Sequence, residues 1–322
     1  MPVTVETPIE KWNGKVREVT LGATQAEGGT RTSTVTVGGS ATLPFLHFEG
    51  SVPHRPVIAI QIQDVDPQDW SPALRAAWGD TTKDVVAWAK KAAELGPDLI
   101  ALNLRSAHPD AGNRGADEVA QTVKSVLGAV GLPLIVYGPG VAEKDNDVLV
   151  RVAEVTAGER LAIGLCEQGN YRTIVAACLA NGHIAIARAP IDVNIQKQIN
   201  ILINDMGLPL DRILMDPTTG ALGYGLEYSY SVLERLRLSS LQGDGMTQMP
   251  TICTVGEEAW RAKESKVSEG VPEAWGNYAE RGVIWETITA TTQLQAGADI
   301  VVLRHPKAVG LIRKTIDLMM AQ

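Results

Sequence analysis

The sequence is short of cysteine, of net positive charge and of long apolar runs. Its three cysteines, Cys166, Cys178 and Cys253, are scattered over 322 residues. They are too few for a disulfide framework or a four-thiolate iron–sulfur site, and they fit a reducing cytoplasm. The formal net charge of −8 argues against a nucleic-acid partner, because binding a phosphate backbone requires a basic face.

Targeting and membrane signals are missing as well. The N-terminus reads M-P-V-T-V-E-T-P, which has neither the basic start nor the apolar core of a signal peptide. No apolar run approaches the roughly 20 residues needed to span a bilayer. We therefore expect a cytoplasmic protein with no membrane partner.

Three common catalytic signatures are absent. No G-x-G-x-x-G follows the first predicted strand, so a dinucleotide site of that kind is not expected. No lysine ends a predicted strand, which disfavours a Schiff-base aldolase. The five histidines show neither H-x-x-E nor H-x-H spacing, so we predict no metal site and assign no catalytic residue.

The chain instead alternates apolar strands with segments of helical spacing. The strands are nearly all-apolar, as burial on both faces requires. Predicted strands are Pro56–Ile62, Asp98–Leu104, Leu132–Tyr137, Leu161–Leu165, His183–Ala187, Ile213–Met215, Pro250–Thr254 and Asp299–Leu303. Predicted helices are Asp84–Leu95, Asp117–Leu127, Asn146–Val155, Tyr171–Ala180, Val193–Met206, Tyr228–Leu238, Val283–Leu294 and Lys307–Met320. Eight such pairs predict an α/β protein with a (β/α)8 TIM barrel; the rival is an open doubly wound sheet.

The first fifty residues differ from this pattern. Val16–Leu21 and Thr32–Val37 both alternate in polarity, with a Gly/Thr-rich segment between them. This predicts an antiparallel hairpin. We expect residues 1–53 to form a hairpin and extended appendage, too small to bury a core alone, and residues 54–322 to form the barrel.

The segment Arg212–Gly225 (R-I-L-M-D-P-T-T-G-A-L-G-Y-G) ends an apolar strand in a carboxylate and a glycine-rich loop. In a closed barrel this end of the strand lies on the functional face. Asp216 could act as a general base, could bond an amide or pterin-like ring, or could hold its own turn. Asn103, at the end of another strand, could bond a heterocycle, the amide arms of a macrocycle, or a neighbouring strand.

Other polar residues on this face have two readings each. Arg188 and Arg304 could neutralise an anionic group or pair with Glu167 or Asp216. His305 could be a metal ligand, but a histidine hydrogen-bonded at a helix entrance is the preferred interpretation. His108 lies in a polar loop that could touch a ligand.

Two long loops on the same face are rich in tryptophan. The loop after the first strand contains Trp70 and Trp78, and the loop over residues 254–280 contains Trp260 and Trp275. We predict that these residues lie outside regular structure. They could form a lid over a flat ligand, a protein interface, or local mini-cores.

Several segments together resemble one family, the small subunit of the corrinoid iron–sulfur protein, also described as the acetyl-CoA decarbonylase/synthase delta type. The segments are V-T-L-G-A-T (Val19–Thr24), G-G-T-R (Gly28–Arg31), L-P-F-L-H-F-E-G (Leu43–Gly50), N-I-Q-K-Q-I-N-I-L-I-N (Asn194–Asn204), D-P-T-T-G-A-L-G-Y-G-L-E-Y-S (Asp216–Ser229), C-T-V-G-E-E-A-W-R-A-K-E (Cys253–Glu264) and L-R-H-P (Leu303–Pro306). Their number and order make the resemblance specific, and it extends over essentially the whole chain.

The resemblance implies a heterodimer in the reductive acetyl-CoA pathway. In it the large subunit carries a [4Fe–4S] cluster and a corrinoid domain, and the face of the small-subunit barrel covers the corrinoid. The cobalt accepts a methyl group from methyltetrahydrofolate through a separate methyltransferase and passes it to acetyl-CoA synthase/CO dehydrogenase. The chain is then a component of a methyl carrier without complete catalytic machinery.

On this reading ten residues are expected to contact the corrinoid. They are Asn103, Arg105, Ser106, His108, Asp216, Thr218, Thr219, Gly220, Gly223 and Gly225. Two alternatives stay open: a stand-alone pterin-dependent methyltransferase, with Asp216 and Asn103 holding the pterin, and a non-catalytic assembly scaffold.

Overall fold

The structure is a computed structural model that describes residues 5–321. The first four residues, on which the signal-peptide prediction partly rests, and Gln322 lie outside the described residues. Within that range ten strands form two sheets. They are β1 (Val19–Leu21), β2 (Val35–Val37), β3 (Val57–Gln63), β4 (Leu99–Asn103), β5 (Leu134–Tyr137), β6 (Ala162–Cys166), β7 (Ile184–Arg188), β8 (Ile213–Asp216), β9 (Ile252–Cys253) and β10 (Ile300–Leu303).

Strands β3 to β10 form one parallel sheet in the order β8-β7-β6-β5-β4-β3-β10-β9. A parallel bridge between Met215 and Thr251 joins the two ends of this series. The Met215 N–H donates to the carbonyl oxygen of Pro250 at 2.9 Å, so the sheet closes into a barrel. The TIM barrel is confirmed and the open sheet is excluded.

Helices surround the barrel. In residues 5–321 they are α1 (Pro72–Trp78), α2 (Val85–Glu94), α3 (Ala116–Ala129), α4 (Ala142–Val155), α5 (Tyr171–Asn181), α6 (Val193–Asp205), α7 (Leu226–Leu241), α8 (Val255–Arg261), α9 (Lys263–Lys266), α10 (Tyr278–Ala296) and α11 (Pro306–Met320). Asp84 and Asp192 accept hydrogen bonds from the first backbone N–H groups of α2 and α6, as good helix caps do. None of the described helices is long and apolar enough to cross a membrane.

The eight predicted strand–helix pairs are confirmed, with shifts at their ends. Among the helices the largest shift is in α10, which begins at Tyr278 where Val283 was predicted. Among the strands it is in the seventh, predicted over Pro250–Thr254 but reduced to Ile252–Cys253. Pro250 has no N–H for the ladder, and Thr254 is already the residue that precedes α8.

Side chains alternate between the barrel interior and the helix layer. On β3, Val57 and Ala59 belong to the interior cluster, whereas Ile58 and Ile60 pack in the cluster that includes the helices. This period of two fixes which residues at the strand ends point into the barrel.

The predicted N-terminal hairpin is confirmed, but its strands are three residues each. Val19, Leu21 and Val37 pack into the barrel-interior cluster. The N–H of Gly22 donates to the carbonyl oxygen of Arg160, which lies before β6. The hairpin therefore covers the end where the barrel strands begin and leaves the opposite, C-terminal end as the functional face. The division at residues 53 and 54 stays a prediction.

The prediction that the loop tryptophans lie outside regular structure is confirmed for Trp70 but wrong for Trp78 and Trp260. Trp78 ends α1 and Trp260 lies in α8, because loops this long fold into helices of their own. Trp70 and Trp78 pack edge-on against Trp88 of α2, with ring centroids 5.4 and 5.6 Å apart. Of the three readings, the mini-core describes these residues and the buried Trp260.

Candidate functional site at the barrel mouth

The mouth of the barrel is defined by the inward-facing side chains at the C-terminal strand ends. They are Gln61, Gln63, Asn103, Tyr137, Arg188, Asp216, Thr254 and Arg304. Gln63, Asn103 and Tyr137 are register partners on three neighbouring strands, so they lie at one level. Arg188 and Asp216 are register partners on β7 and β8.

The side chain of Arg304 makes a hydrogen bond, a cation–π contact and an ion pair with other residues of the protein. Its Nε donates to Oε1 of Gln61 at 2.9 Å, and its guanidinium lies 4.9 Å from the centre of the Trp70 ring. A guanidinium nitrogen is 3.6 Å from Oε2 of Glu257. Of its two readings, pairing within the protein is the one that the structure shows.

Glu286 of α10 supports the strand end that carries Arg304. Its carboxylate accepts the backbone N–H of Arg304, the N–H of His305 at 3.2 Å and the indole N–H of Trp260 at 2.8 Å. Burial raises the pKa of Glu286 to about 7, although these three donors oppose the shift. The sequence pattern did not single out Glu286, because it lies in the middle of a helix.

His305 lies at the start of α11 as the helix-entrance reading requires. Its Nδ1 accepts the backbone N–H of Lys307 at 3.0 Å, and its ring stacks on Trp260 with centroids 5.7 Å apart. Burial lowers the pKa of His305 to about 4. Across residues 5–321, no three His, Cys, Asp or Glu side chains lie close enough together to hold a metal ion.

Asp216 anchors the loop that follows β8. Its Oδ1 accepts the N–H of Thr218 at 2.9 Å, and the hydroxyl of Thr218 donates to the carbonyl oxygen of Ala189 at 2.7 Å. A Cβ at Gly220 would lie 2.1 Å from the carbonyl oxygen of Gly225, so the two segments of this loop can meet only at a glycine. Burial raises the pKa of Asp216 to about 6, and the nearby Arg188 opposes that rise.

Arg188 is held more loosely than Arg304. Its Nε is 3.7 Å from Oε1 of Glu167 and 3.4 Å from the hydroxyl oxygen of Thr218, and a third of its side chain is exposed. It borders a cleft of about 480 Å³ whose other walls include Ile195 and Leu202 of α6. It also borders a smaller cavity of about 110 Å³ that adjoins Gly138.

Three buried polar atoms at the mouth have no hydrogen-bond partner within the described chain. They are Oε1 of Gln63, the hydroxyl of Tyr137 and Oδ2 of Asp216. The three residues are 3%, 6% and 1% exposed. Burial, with the nearby Asp216 adding to it, raises the pKa of the Tyr137 phenol well above its usual value. Tyr137 ends a strand in the sequence, but only the structure reveals that its hydroxyl is unpaired.

The expected contact residues fall into two groups. Asn103 is half-buried at the end of β4, and Asp216, Thr218 and Thr219 lie at the end of β8 on the same face of the barrel. The Thr219 hydroxyl accepts the backbone N–H of Thr254 at 2.9 Å and thereby ties the loop to β9. Gly223 and Gly225 adopt positive φ values of 73° and 86° in the turn that leads into α7.

The loop after β4 carries the second group. Ser106 is fully buried, and both its hydroxyl and its backbone N–H donate to the carboxylate of Asp64, the latter at 2.8 Å. Arg105 and His108 are half-buried, and Nδ1 of His108 accepts the N–H of Asp110 at 3.1 Å. Ser106 is thus committed to holding its own loop, while Arg105 and His108 remain near the surface.

Comparison with known proteins identifies the family of this chain. The family model described as CO dehydrogenase/acetyl-CoA synthase delta subunit matches residues 18–314. The acetyl-CoA decarbonylase/synthase complex subunit delta of Archaeoglobus fulgidus is 39% identical over 316 residues, which cover 96% of this chain and 69% of that protein. The subunit of the same name from Methanopyrus kandleri is 37% identical over 308 residues, or 95% of this chain and 76% of that protein.

The solved structures that resemble this chain share its fold, at low sequence identity. Dihydropteroate synthase from Xanthomonas albilineans with 4-aminobenzoic acid superposes with a TM-score of 0.57 at 13% identity, covering 87% of this chain and 98% of that one. The enzyme from Yersinia pestis in a sulfonamide complex gives 0.57 at 14% identity, covering 85% and 97%. The match over residues 18–314 and the identity with the two delta subunits confirm the resemblance seen in the sequence motifs: the chain belongs to the CO dehydrogenase/acetyl-CoA synthase delta subunit family.

Proposed function

We propose that the chain is the small subunit of a methyl-carrying corrinoid iron–sulfur protein in an acetyl-CoA decarbonylase/synthase system, and that its barrel mouth covers the corrinoid. Family membership supports the assignment to this system. The structural observation that carries the corrinoid contact is the set of buried, unpaired hydrogen-bonding groups at the mouth. Such groups are expected where a partner completes them.

The residues present fit a corrinoid. A corrin is a broad, flat ring with amide arms, and the mouth offers the amides of Gln63 and Asn103 and the hydroxyl of Tyr137 as hydrogen-bonding groups. When bound, the corrinoid supplies the cobalt that carries the methyl group. The side chains of this chain would bind and orient the ring and keep water from its face.

The contact set follows from what each side chain already does. Asn103 is our main candidate for a direct contact, with Arg105 and His108 at the edge. Thr218 and Thr219 bond the protein through their hydroxyls, so their loop, with its glycines, would contribute shape more than hydrogen bonds. Ser106 would act through the Asp64 contact that holds its loop.

The proposed partners are a large subunit with the corrinoid domain and a [4Fe–4S] cluster, a methyltetrahydrofolate methyltransferase, and acetyl-CoA synthase/CO dehydrogenase. The state of the cysteines supports placing the cluster on the large subunit. Cys166, Cys178 and Cys253 are all buried, and burial raises the pKa of each thiol, that of Cys178 to about 12. Cluster ligands are thiolates, which these environments disfavour.

Substitution of Asn103 tests the proposal. Asn103→Ala should weaken association with the corrinoid-loaded large subunit about tenfold, the effect of losing a hydrogen bond worth about 1.4 kcal/mol. Asn204→Ala, at the far end of α6, is the matched control and should leave the affinity unchanged. Titration of the two purified subunits by calorimetry measures both.

Three outcomes separate the alternatives. Productive methyl transfer from methyltetrahydrofolate by the isolated chain would favour the stand-alone methyltransferase. A complex that is insensitive to every substitution at the mouth would favour the assembly scaffold. Unchanged affinity and unchanged methyl-transfer kinetics in Asn103→Ala would remove Asn103 from the contact.

A further inference from the structure

Gln63, Tyr137 and Asp216 form a polar triad at the barrel mouth. Each presents one buried atom without a partner, and no hydrogen bond joins any two of these atoms. A buried polar atom left unpaired costs about 1–3 kcal/mol. Three of them at one barrel mouth indicate a binding site whose ligand supplies the missing partners.

The alternation of the strands directs the triad into one space. Each residue lies two or four positions beyond a side chain of its own strand that is part of the interior cluster. These interior side chains are Ala59 on β3, Ile135 on β5 and Leu214 on β8. Because side chains two apart share a face, the three polar groups all point towards the barrel axis.

Charge around the triad favours a neutral ligand. An anion would be repelled by Asp216, whose second oxygen already accepts the N–H of Thr218. A cation would be repelled by Arg188, the register partner of Asp216, and by Arg304, which follows β10 beside β3. A neutral group with both donors and an acceptor avoids both penalties.

The unpaired groups match the two ends of an amide. A carboxylate oxygen accepts an N–H, a phenol donates to a carbonyl oxygen, and a glutamine amide can present either its oxygen or its nitrogen. We propose that the triad is an amide-recognition site, with the ligand N–H groups bound by Asp216 and Gln63 and its carbonyl oxygen bound by the Tyr137 hydroxyl. If the amide is an arm of the corrin, this inference rests on the function proposed above. A free cyclic amide presents the same edge.

Arg188 is the register partner of Asp216. It also lines a cavity of about 110 Å³ together with Gly138, Leu165 and Glu167. The contacts of Arg188 to Thr218 and Glu167, at 3.4 and 3.7 Å, are long.

Tyr137→Phe tests the site, because it removes one hydroxyl and keeps the ring. The first probe is cyanocobalamin, whose arms are amides, set against a corrinoid whose arms are methyl esters. The second probe is methyltetrahydrofolate, which carries a free cyclic amide. Binding to the full-length chain is measured by tryptophan fluorescence, and Tyr228→Phe, an exposed tyrosine on α7, is the control.

We expect Tyr137→Phe to bind cyanocobalamin about tenfold more weakly, as loss of one buried hydrogen bond implies. The ester corrinoid keeps the carbonyl oxygen but lacks the N–H groups that Asp216 and Gln63 would bind, so the natural chain should bind it more weakly than cyanocobalamin. If the chain binds neither corrinoid but binds methyltetrahydrofolate in a Tyr137-dependent way, the amide site stands and the proposed corrinoid contact fails. If Tyr137→Phe changes no affinity, or if the natural chain binds neither kind of amide, the inference is overturned. Thermal unfolding of the variant confirms that it is folded.

Discussion

The indole nitrogen of Trp260 donates a hydrogen bond to Oε2 of Glu286 at 2.8 Å. The other carboxylate oxygen of Glu286 accepts the backbone N–H of Arg304, at the end of β10. A helix formed by the loop after β9 is thus joined, through one buried carboxylate, to the strand end that positions Arg304 at the mouth. This network explains why Trp260 is packed inward.

Glu286→Ala should strongly destabilise the protein. The substitution leaves the Trp260 indole and the backbone N–H groups of Arg304 and His305 without their acceptor in a buried position. We expect a loss of about 3 kcal/mol or more in the free energy of unfolding, measured with urea. Glu280→Ala, an exposed position on the same helix, is the control and should change it by less than about 0.5 kcal/mol. Equal effects would contradict a structural role for the Glu286 network.

Arg31→Met should detach the hairpin from the barrel floor. Arg31 is buried, its Nε is 3.1 Å from Glu159, and its other nitrogens donate to the carbonyl oxygens of Leu127 and Val130. Removing one partner of such a buried pair costs about 3–5 kcal/mol, because Glu159 is left uncompensated. Arg151→Met removes ion pairs that are exposed and should cost at most about 1 kcal/mol. Hydrogen exchange should increase in β1 and β2 in the first variant alone.

Tyr137→Phe should not destabilise the free chain. Its hydroxyl is buried without a partner, so removing it relieves a desolvation cost and leaves no donor or acceptor unpaired. We expect a melting temperature equal to or above that of the natural chain, and no change for Tyr228→Phe. A clear drop for Tyr137→Phe would show that the hydroxyl has a partner in solution. Stability that rises while amide binding falls is typical of a residue retained for function.

Asp216→Asn should change how stability depends on pH. The pKa of Asp216 is raised to about 6 in the folded protein. Its contribution to the stability of the fold is therefore fully present below its unfolded pKa of about 4 and is lost as pH rises through 6. Between pH 4 and pH 7 the free energy of unfolding of the variant should therefore rise, relative to that of the natural chain, by on the order of 2 kcal/mol. His183 and His305, whose pKa values burial lowers to about 4, oppose this trend, but they titrate in both proteins and cancel. Urea titrations at several pH values measure the difference in unfolding free energy between the two proteins. A difference that does not change with pH would contradict the raised pKa of Asp216.

The candidate site was only partly predictable. Asp216 could be placed on the functional face because an apolar run ends in Asp-Pro, and Asn103 because it ends a strand. Nothing in the sequence distinguished Ser106, which holds Asp64, from the residues that remain open at the mouth. Nor could it show that the hydroxyl of Tyr137 lacks a partner, since pairing depends on side chains more than 70 residues away.

The sequence by itself determined the series of eight strand–helix pairs, because burial on both faces demands apolar strands and helical spacing follows each of them. The Met215–Thr251 bridge, seen only in the structure, decided that the series closes into a barrel. Local chemistry also set the helix starts at Asp84 and Asp192 and the stop at Gly182. Only the tertiary structure decided that the hairpin forms the floor of the barrel and that Trp70, Trp78 and Trp260 are buried. It also decided which polar groups at the mouth are paired. These outcomes depend on contacts between distant segments, whose geometry exists only once the barrel has closed.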